Sequence, residues 1–200
     1  SARGGVRYVA GAGSQEHVAV VGRDDPALAL AAAPTDRVSA LAWSAFDQAA
    51  IVAVAPGETP QDAVQLTVVA EGEPQSFGQV VVDAGANSAS TIVIDHTGTG
   101  AYAGDVTIRV GDGARATVAV LQRMDADGVF VGHVRAELGR DAHLRCVAVT
   151  LGGDVVRLGT SVNYTAPGGE AELLGAFFAT NGQHQEHRQF VDHSVPNCSS

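Results

Sequence analysis

The sequence predicts an all-β molecule with one short helix near its start. Three observations carry that expectation. From Ile51 onward, apolar residues alternate with polar ones at period two. Val64, Leu66 and Val68 do so around Gln65 and Thr67, and Val106, Ile108 and Val110 around Thr107 and Arg109. Further β-rich runs lie near Val118, Phe130, Val147, Val156, Phe177 and Phe190; they recur roughly every 12–17 residues and are separated by Gly, Asp and Asn. No long helical pattern interrupts them, which argues against an α/β sheet.

Two short strands are expected first, over Val6–Ala10 and His17–Val21, joined as a hairpin by a Gly-rich turn. Gly11-Ala-Gly13 opens like a dinucleotide-binding fingerprint. Glu16 stands where that motif needs Gly or Ala, and strand follows instead of helix, so the segment reads as a turn. Pro34-Thr-Asp-Arg-Val then begins the helix, about 35–50, with Thr35 or Asp36 able to accept a bond from a free N–H at its start. Val38, Leu41, Ala42, Ala45, Phe46 and Ala49 form its apolar stripe. Trp43 lies off that stripe and is expected to pack against a neighbouring element. The chain thus divides into an N-terminal segment, 1–50, and a β core, 51–200.

The pattern leaves a sandwich, a barrel and a solenoid open. Asp112-Gly, Asp127-Gly and Asn181-Gly are hairpin-like and favour antiparallel pairing. The even spacing favours a solenoid, as do small residues at expected corners: Gly85, Gly98, Gly111, Gly139, Gly152, Gly159 and Gly168.

Composition excludes some functions. The net charge is −10, and all 12 basic residues are Arg, which argues against binding nucleic acid. Two cysteines, Cys146 and Cys198, make no disulfide framework and suggest reduced thiols in a cytoplasmic setting. No apolar run approaches the ~20 residues of a membrane-spanning helix. There is no phosphate loop, no Gly-x-Ser-x-Gly elbow, no His-Glu-x-x-His and no Cys-x-x-Cys. Asp125-Ala-Asp-Gly128 has too few ligands for a calcium loop and reads as a tight turn. His96, His133 and His143 are scattered singly and read as structural.

The last nineteen residues, Gly182-Gln-His-Gln-Glu-His-Arg-Gln-Phe-Val-Asp-His-Ser-Val-Pro-Asn-Cys-Ser-Ser200, gather metal-binding side chains: His184, His187, His193 and Cys198. On a strand, His187, Gln189, Val191 and His193 share one face, and Glu186, Arg188, Phe190 and Asp192 share the other. His187 and His193 are then about 20 Å apart at ~3.3 Å per residue, too far to share one metal ion. The block is therefore not a metal site by itself. His187 and His193 are expected instead at an interface.

Several stretches resemble the core domain of the SufB/SufD family of iron–sulfur cluster assembly proteins. They are Thr91-Ile-Val-Ile-Asp-His-Thr-Gly98, Leu173-Leu-Gly-Ala-Phe-Phe-Ala-Thr-Asn-Gly-Gln-His184 and His187-Arg-Gln-Phe-Val-Asp-His-Ser-Val-Pro-Asn-Cys198. The resemblance runs from Asp36 to the end, and Asp192-His-Ser-Val-Pro196 is worded more like SufD. It implies a right-handed parallel β-helix and a non-catalytic scaffold subunit. It implies a SufB-like partner and a SufC-like ATPase held through a C-terminal region. It also implies an iron–sulfur cluster assembled transiently at the complex interface. The family's cluster ligand is expected beyond Ser200, in a core expected to be truncated at its C-terminal end. Two alternatives stand beside it. One is a carbohydrate-active β-helix enzyme using acidic residues such as Asp83, Asp95 and Asp105. The other is a structural β-sandwich or adhesion module.

Overall fold

The computed structural model describes residues 5–72, 75–180 and 182–200; Asn181 of the Asn181-Gly pair lies outside them. Strands β1 (Gly5–Ala10) and β2 (Val18–Gly22) come first. A short 3-10 helix (Pro26–Leu30) and helix α1 (Arg37–Ala45) follow. The rest is strand: β3 (Gln48–Val54), β4 (Val64–Glu71), β5 (Gln75–Ala84), β6 (Ala89–Gly98), β7 (Ala101–Val110), β8 (Arg115–Met124), β9 (Val129–Leu138), β10 (His143–Thr150), β11 (Val155–Tyr164), β12 (Glu170–Phe177) and β13 (His184–Asp192).

The strands form two sheets, ordered β1-β4-β6-β8-β10-β12 and β13-β11-β9-β7-β5-β3-β2. From β3 on, consecutive strands alternate between the sheets, and each pairs in parallel with the strand one turn away. The result is a β-solenoid of about five turns. In the first sheet Val64 pairs with Ile92, Ile92 with Val118, Val118 with Cys146 and Cys146 with Leu173, a period of 26–28 residues. Each turn contains two strands, so the spacing visible in the sequence is half the structural repeat.

This pairing corrects three expectations. β1 and β2 do not form a hairpin: β1 pairs antiparallel with β4, and β2 with β3 in the other sheet. Gly11–Gly13 carries the chain between sheets. Likewise Asp112-Gly and Asp127-Gly are solenoid corners, not hairpin turns. A left-handed residue suits any sharp turn, so the dipeptide alone does not say which strand the chain pairs with next. Gly159 is no corner; it lies within β11, opposite His133.

One set of corners repeats. Gly57, Asn87, Gly113, Asp141 and Gly168 all have positive φ, a region open to Gly and tolerated by Asn and Asp. The backbone closes each corner onto the next: Asn87 N–H donates to Asp112 O, Gly113 N–H to Arg140 O, and Asp141 N–H to Pro167 O. Corner backbone groups are thereby satisfied by stacking.

Inward side chains stack in columns, such as Val82, Ile108, Ala136 and Val162. Together with their counterparts from the first sheet they form the main core. A second cluster, with Leu28, Ala42, Phe46, Phe77 and Val81, lies under α1 on the outer face of the second sheet.

α1 is shorter than expected. It is capped by Asp36, not Thr35, and ends at Ala45; Ala49 belongs to β3. Its buried face is Ser39, Ala42 and Ala45, while Leu41 is 50% exposed. The stripe is rotated because Ser39 is drawn into a polar network beneath the helix. Trp43 packs on Phe46, with ring centroids 5.3 Å apart. Among the described residues no helix is long and apolar enough to cross a membrane.

Candidate functional site

The histidine block is the last strand of the second sheet. β13 runs parallel to β11, pairing His184 with Val155, His187 with Leu158 and Val191 with Val162. Leu158 and Val162 are buried core residues, so His187, Gln189 and Val191 face the interior and Glu186, Arg188 and Phe190 face outward. The two faces are those the alternation predicts.

The four candidate ligands are held separately. His187 Nε2 lies 2.8 Å from Thr150 Oγ1, and its ring meets Phe177 edge-on at 5.5 Å. Burial lowers the His187 pKa from the ordinary imidazole value, so the ring is neutral near pH 7. His184 is exposed on the opposite face. His193 lies just past β13, 5.4 Å from the Tyr164 ring, with Nε2 3.0 Å from Ser200 Oγ. Cys198 Sγ sits 3.7 Å from Ala166 O and 3.6 Å from Pro196 O. Among the described residues no group of three or more His, Cys, Asp or Glu side chains is arranged to hold a metal ion. These donors therefore do not fit an iron–sulfur cluster on their own. Cys146 faces the core, and burial pushes its thiol up to about 12, which removes the thiolate a ligand requires.

A polar network under α1 was not foreseen from the sequence. Asp105 on β7 and Arg135 on β9 form an ion pair of 2.7 Å, and both are nearly inaccessible to solvent. Ser39 Oγ donates to Asp105 at 2.9 Å and accepts from Arg135 at 2.9 Å. Asp36 accepts from the Val38 and Ser39 N–H groups. Burial acts to raise the Asp36 pKa, but the bonds from Ser39 and Val38 and the contact with His133 outweigh it, leaving it low. The available signal was the run of two-residue alternation that places Asp105, Thr107, His133 and Arg135 on one face. Sequence alone does not say that a helix covers that face.

His133 Nε2 lies 3.2 Å from Ser161 Oγ, and Nδ1 lies 3.6 Å from Asp36. The residue types resemble a Ser-His-Asp set, but at 3.6 Å Asp36 stands too far from Nδ1 for the orienting hydrogen bond a triad needs, and Arg135, which can only donate, approaches the same nitrogen at 3.5 Å. Burial and then the Arg135 charge lower the His133 pKa, and Asp105 and Asp36 offset only part of this.

The remaining candidates do not converge. Asp95 lies in the first sheet, ion-paired with Arg123. Asp83 and Asp105 lie in the second, and Asp105 is committed to Arg135. These three do not form the facing acid and base of a glycosidase. Asp125–Gly128 is a corner turn, closed by Gly128 N–H donating to Asp125 O. His143 is 3.0 Å from Glu170 on the exposed face. His96 is fully buried.

Comparison with known proteins agrees with the geometry. The family described as SUF system FeS cluster assembly, SufBD core domain, matches residues 67–200. An iron–sulfur cluster assembly SufBD family protein of Mycobacterium bovis is 42% identical over 181 residues, covering 90% of this chain and 46% of the relative. The Mycobacterium leprae protein of the same description is 41% identical over 184 residues, with the same coverage. The chain thus spans about half the length of the curated relatives it matches. A parallel two-sheet solenoid that carries the histidine block on β13, with a match of this extent, places the chain in the SufBD core-domain family of the SUF iron–sulfur cluster assembly system.

Proposed function

We propose that this chain is part of a SufD-like, non-catalytic scaffold subunit that pairs with a SufB-like paralogue. In this reading a SufC-like ATPase drives the complex, and an iron–sulfur cluster is its cargo. The observation that carries the proposal is the family match over the solenoid. The Asp192-His-Ser-Val-Pro196 wording supports SufD over SufB. The scattered donors support a subunit that shares ligands with a partner instead of holding a cluster alone. Two free cysteines and an acidic surface suit a reducing, cytoplasmic setting.

His187 and His193 are proposed to act at the pairing surface. His187 lies on β13 beside Thr150, and His193 lies just past that strand beside Tyr164 and Ser200. The test is co-purification of the full-length protein with SufB-like and SufC-like subunits, followed by anaerobic cluster reconstitution read by absorption. A stable complex that gains cluster absorption only when the partner is present is expected. Failure to form any complex, or a full cluster load on the isolated subunit, would overturn the proposal. His193→Ala is expected to weaken pairing while leaving the melting temperature of the isolated chain unchanged.

A further inference from the structure

A cleft of about 310 Å³ opens where the first turn of α1 meets the outer face of the second sheet. Thr35–Ser39 form one wall; Arg157, Arg188 and Phe190 form the other. Between them lie His133 and Gly159, and a Cβ added at Gly159 would stand 3.3 Å from the His133 ring. The missing side chain keeps that part of the cleft open.

Donors and acceptors in this cleft are unequally used. The acceptors are committed: Asp36 takes bonds from the Val38 and Ser39 N–H groups, and Asp105 from Ser39 Oγ and Arg135. The donors are not. The Arg37 guanidinium has no ion-pair or hydrogen-bond partner among the described residues. Arg157 and Arg188 share one carboxylate, Glu186, with Arg157 at 3.8 Å and only about half of each arginine side chain covered. A guanidinium carries five N–H donors, so most of this capacity is free. A ligand that completes the site must bring negative charge and acceptor oxygens. With Asp105 paired to Arg135, the cleft and its rim hold Arg37, Arg157 and Arg188 against Asp36 and Glu186, an excess of one guanidinium in a chain of net charge −10.

We propose that this cleft binds a small phosphate monoester, with the phosphate between Arg157 and Arg188 and the organic group over Phe190. Planar guanidinium forks match phosphate oxygens two at a time. The cleft is larger than a phosphate alone requires, and Phe190, 62% exposed, offers an apolar face for the rest of the molecule. The site is separate from the interior face that carries His187 and does not rest on the scaffold reading.

Phenyl phosphate and inorganic phosphate, titrated into this chain at fixed ionic strength and followed by calorimetry and amide chemical shifts, test the proposal. Phenyl phosphate should saturate, with shifts centred on Gly159 and Phe190. Arg157→Ala and Arg188→Ala should each weaken it about tenfold, the loss expected for one charge-assisted contact. Arg188→Lys should recover only part of that loss, because an ammonium keeps the charge without the fork. Phe190→Ala should weaken phenyl phosphate and leave inorganic phosphate unchanged. Arg115→Ala, on the other sheet, should change neither. The arginines are half exposed, so the variants should melt as the parent does; a variant that melts early is replaced by Arg188→Lys and Arg157→Lys. Absence of saturable phenyl phosphate binding, or unchanged affinity in the Arg157→Ala/Arg188→Ala double variant, would overturn the assignment.

Discussion

His96 shows how burial alone sets a residue's chemistry. It lies inside the solenoid with ring centroids 5.4 Å from Tyr102 and 5.2 Å from Phe130, and its Nδ1 has no hydrogen-bond partner among the described residues. Burial pushes its pKa down to about 4, against which the Leu121 backbone bond and the Asp95 charge act only in part. The folded chain therefore resists protonation that the unfolded chain accepts below about 6.5. This contribution is fully present above pH 6.5 and is lost as pH falls toward 4, on the order of 3 kcal/mol in all. Urea-unfolding midpoints measured across that range should fall with pH, and His96→Leu should flatten the slope. An equally steep slope in the variant would count against this account. Glycines give a second residue-scale test. Gly57 has φ +74 with no atom near an added Cβ, whereas an added Cβ at Gly98 would meet Ala70 O at 2.1 Å. Gly57→Ala should cost about 1 kcal/mol, from the backbone alone. Gly98→Ala should cost roughly 3 kcal/mol or more in the same melts, because backbone must move.

Helix α1 is joined to the solenoid by two kinds of contact. Ala42, Ala45 and Phe46 pack on Phe77 and Val81, while Ser39 reaches the buried Asp105–Arg135 pair. Breaking one partner of a buried ion pair leaves an uncompensated charge. Asp105→Ala should therefore cost about 3–5 kcal/mol by chemical denaturation. The double replacement Asp105→Leu/Arg135→Met should recover much of that loss, since a packed apolar pair has no desolvation penalty. A double variant as unstable as the single one would show that the network contributes more than charge balance. Trp43, the sole tryptophan, packs on Phe46 and so reports docking of the helix. The exposed Leu41 fits the same picture: the polar anchor at Ser39, not the apolar stripe, sets the rotation of the helix.

Across the whole molecule, a solenoid is stabilised between neighbouring turns, so protection should follow position along the axis. The middle strands β6–β10 have paired strands on both sides. In this 200-residue chain the outermost described strands are β1 and β12 in one sheet and β2 and β13 in the other. Amide exchange in this chain should be slower in β7–β9 than in those outer strands, by a hundredfold or more, on the order of the free energy of fraying one turn. Uniform protection would mean that the turns unfold as one unit.

The sequence by itself determined most of the strands, which residues share a strand face, most of the glycine corners and the family. Those features are local or are read from word order: two-residue alternation marks a face, and a residue at positive φ favours Gly, Asn or Asp wherever it occurs. The separation of the histidine-block ligands was legible for the same reason, since rise per residue is fixed along a strand. Only the tertiary structure decided which strands pair, because the alternation is identical in a hairpin and in a solenoid turn. It also decided that β1 and β2 belong to different sheets and that α1 turns Ser39 inward. The network from Asp36 to Arg135, and the arginine cleft beside it, depend on residues about 100 positions apart meeting under one helix. Such long-range approach is set by loop closure and packing, on which the local pattern is silent.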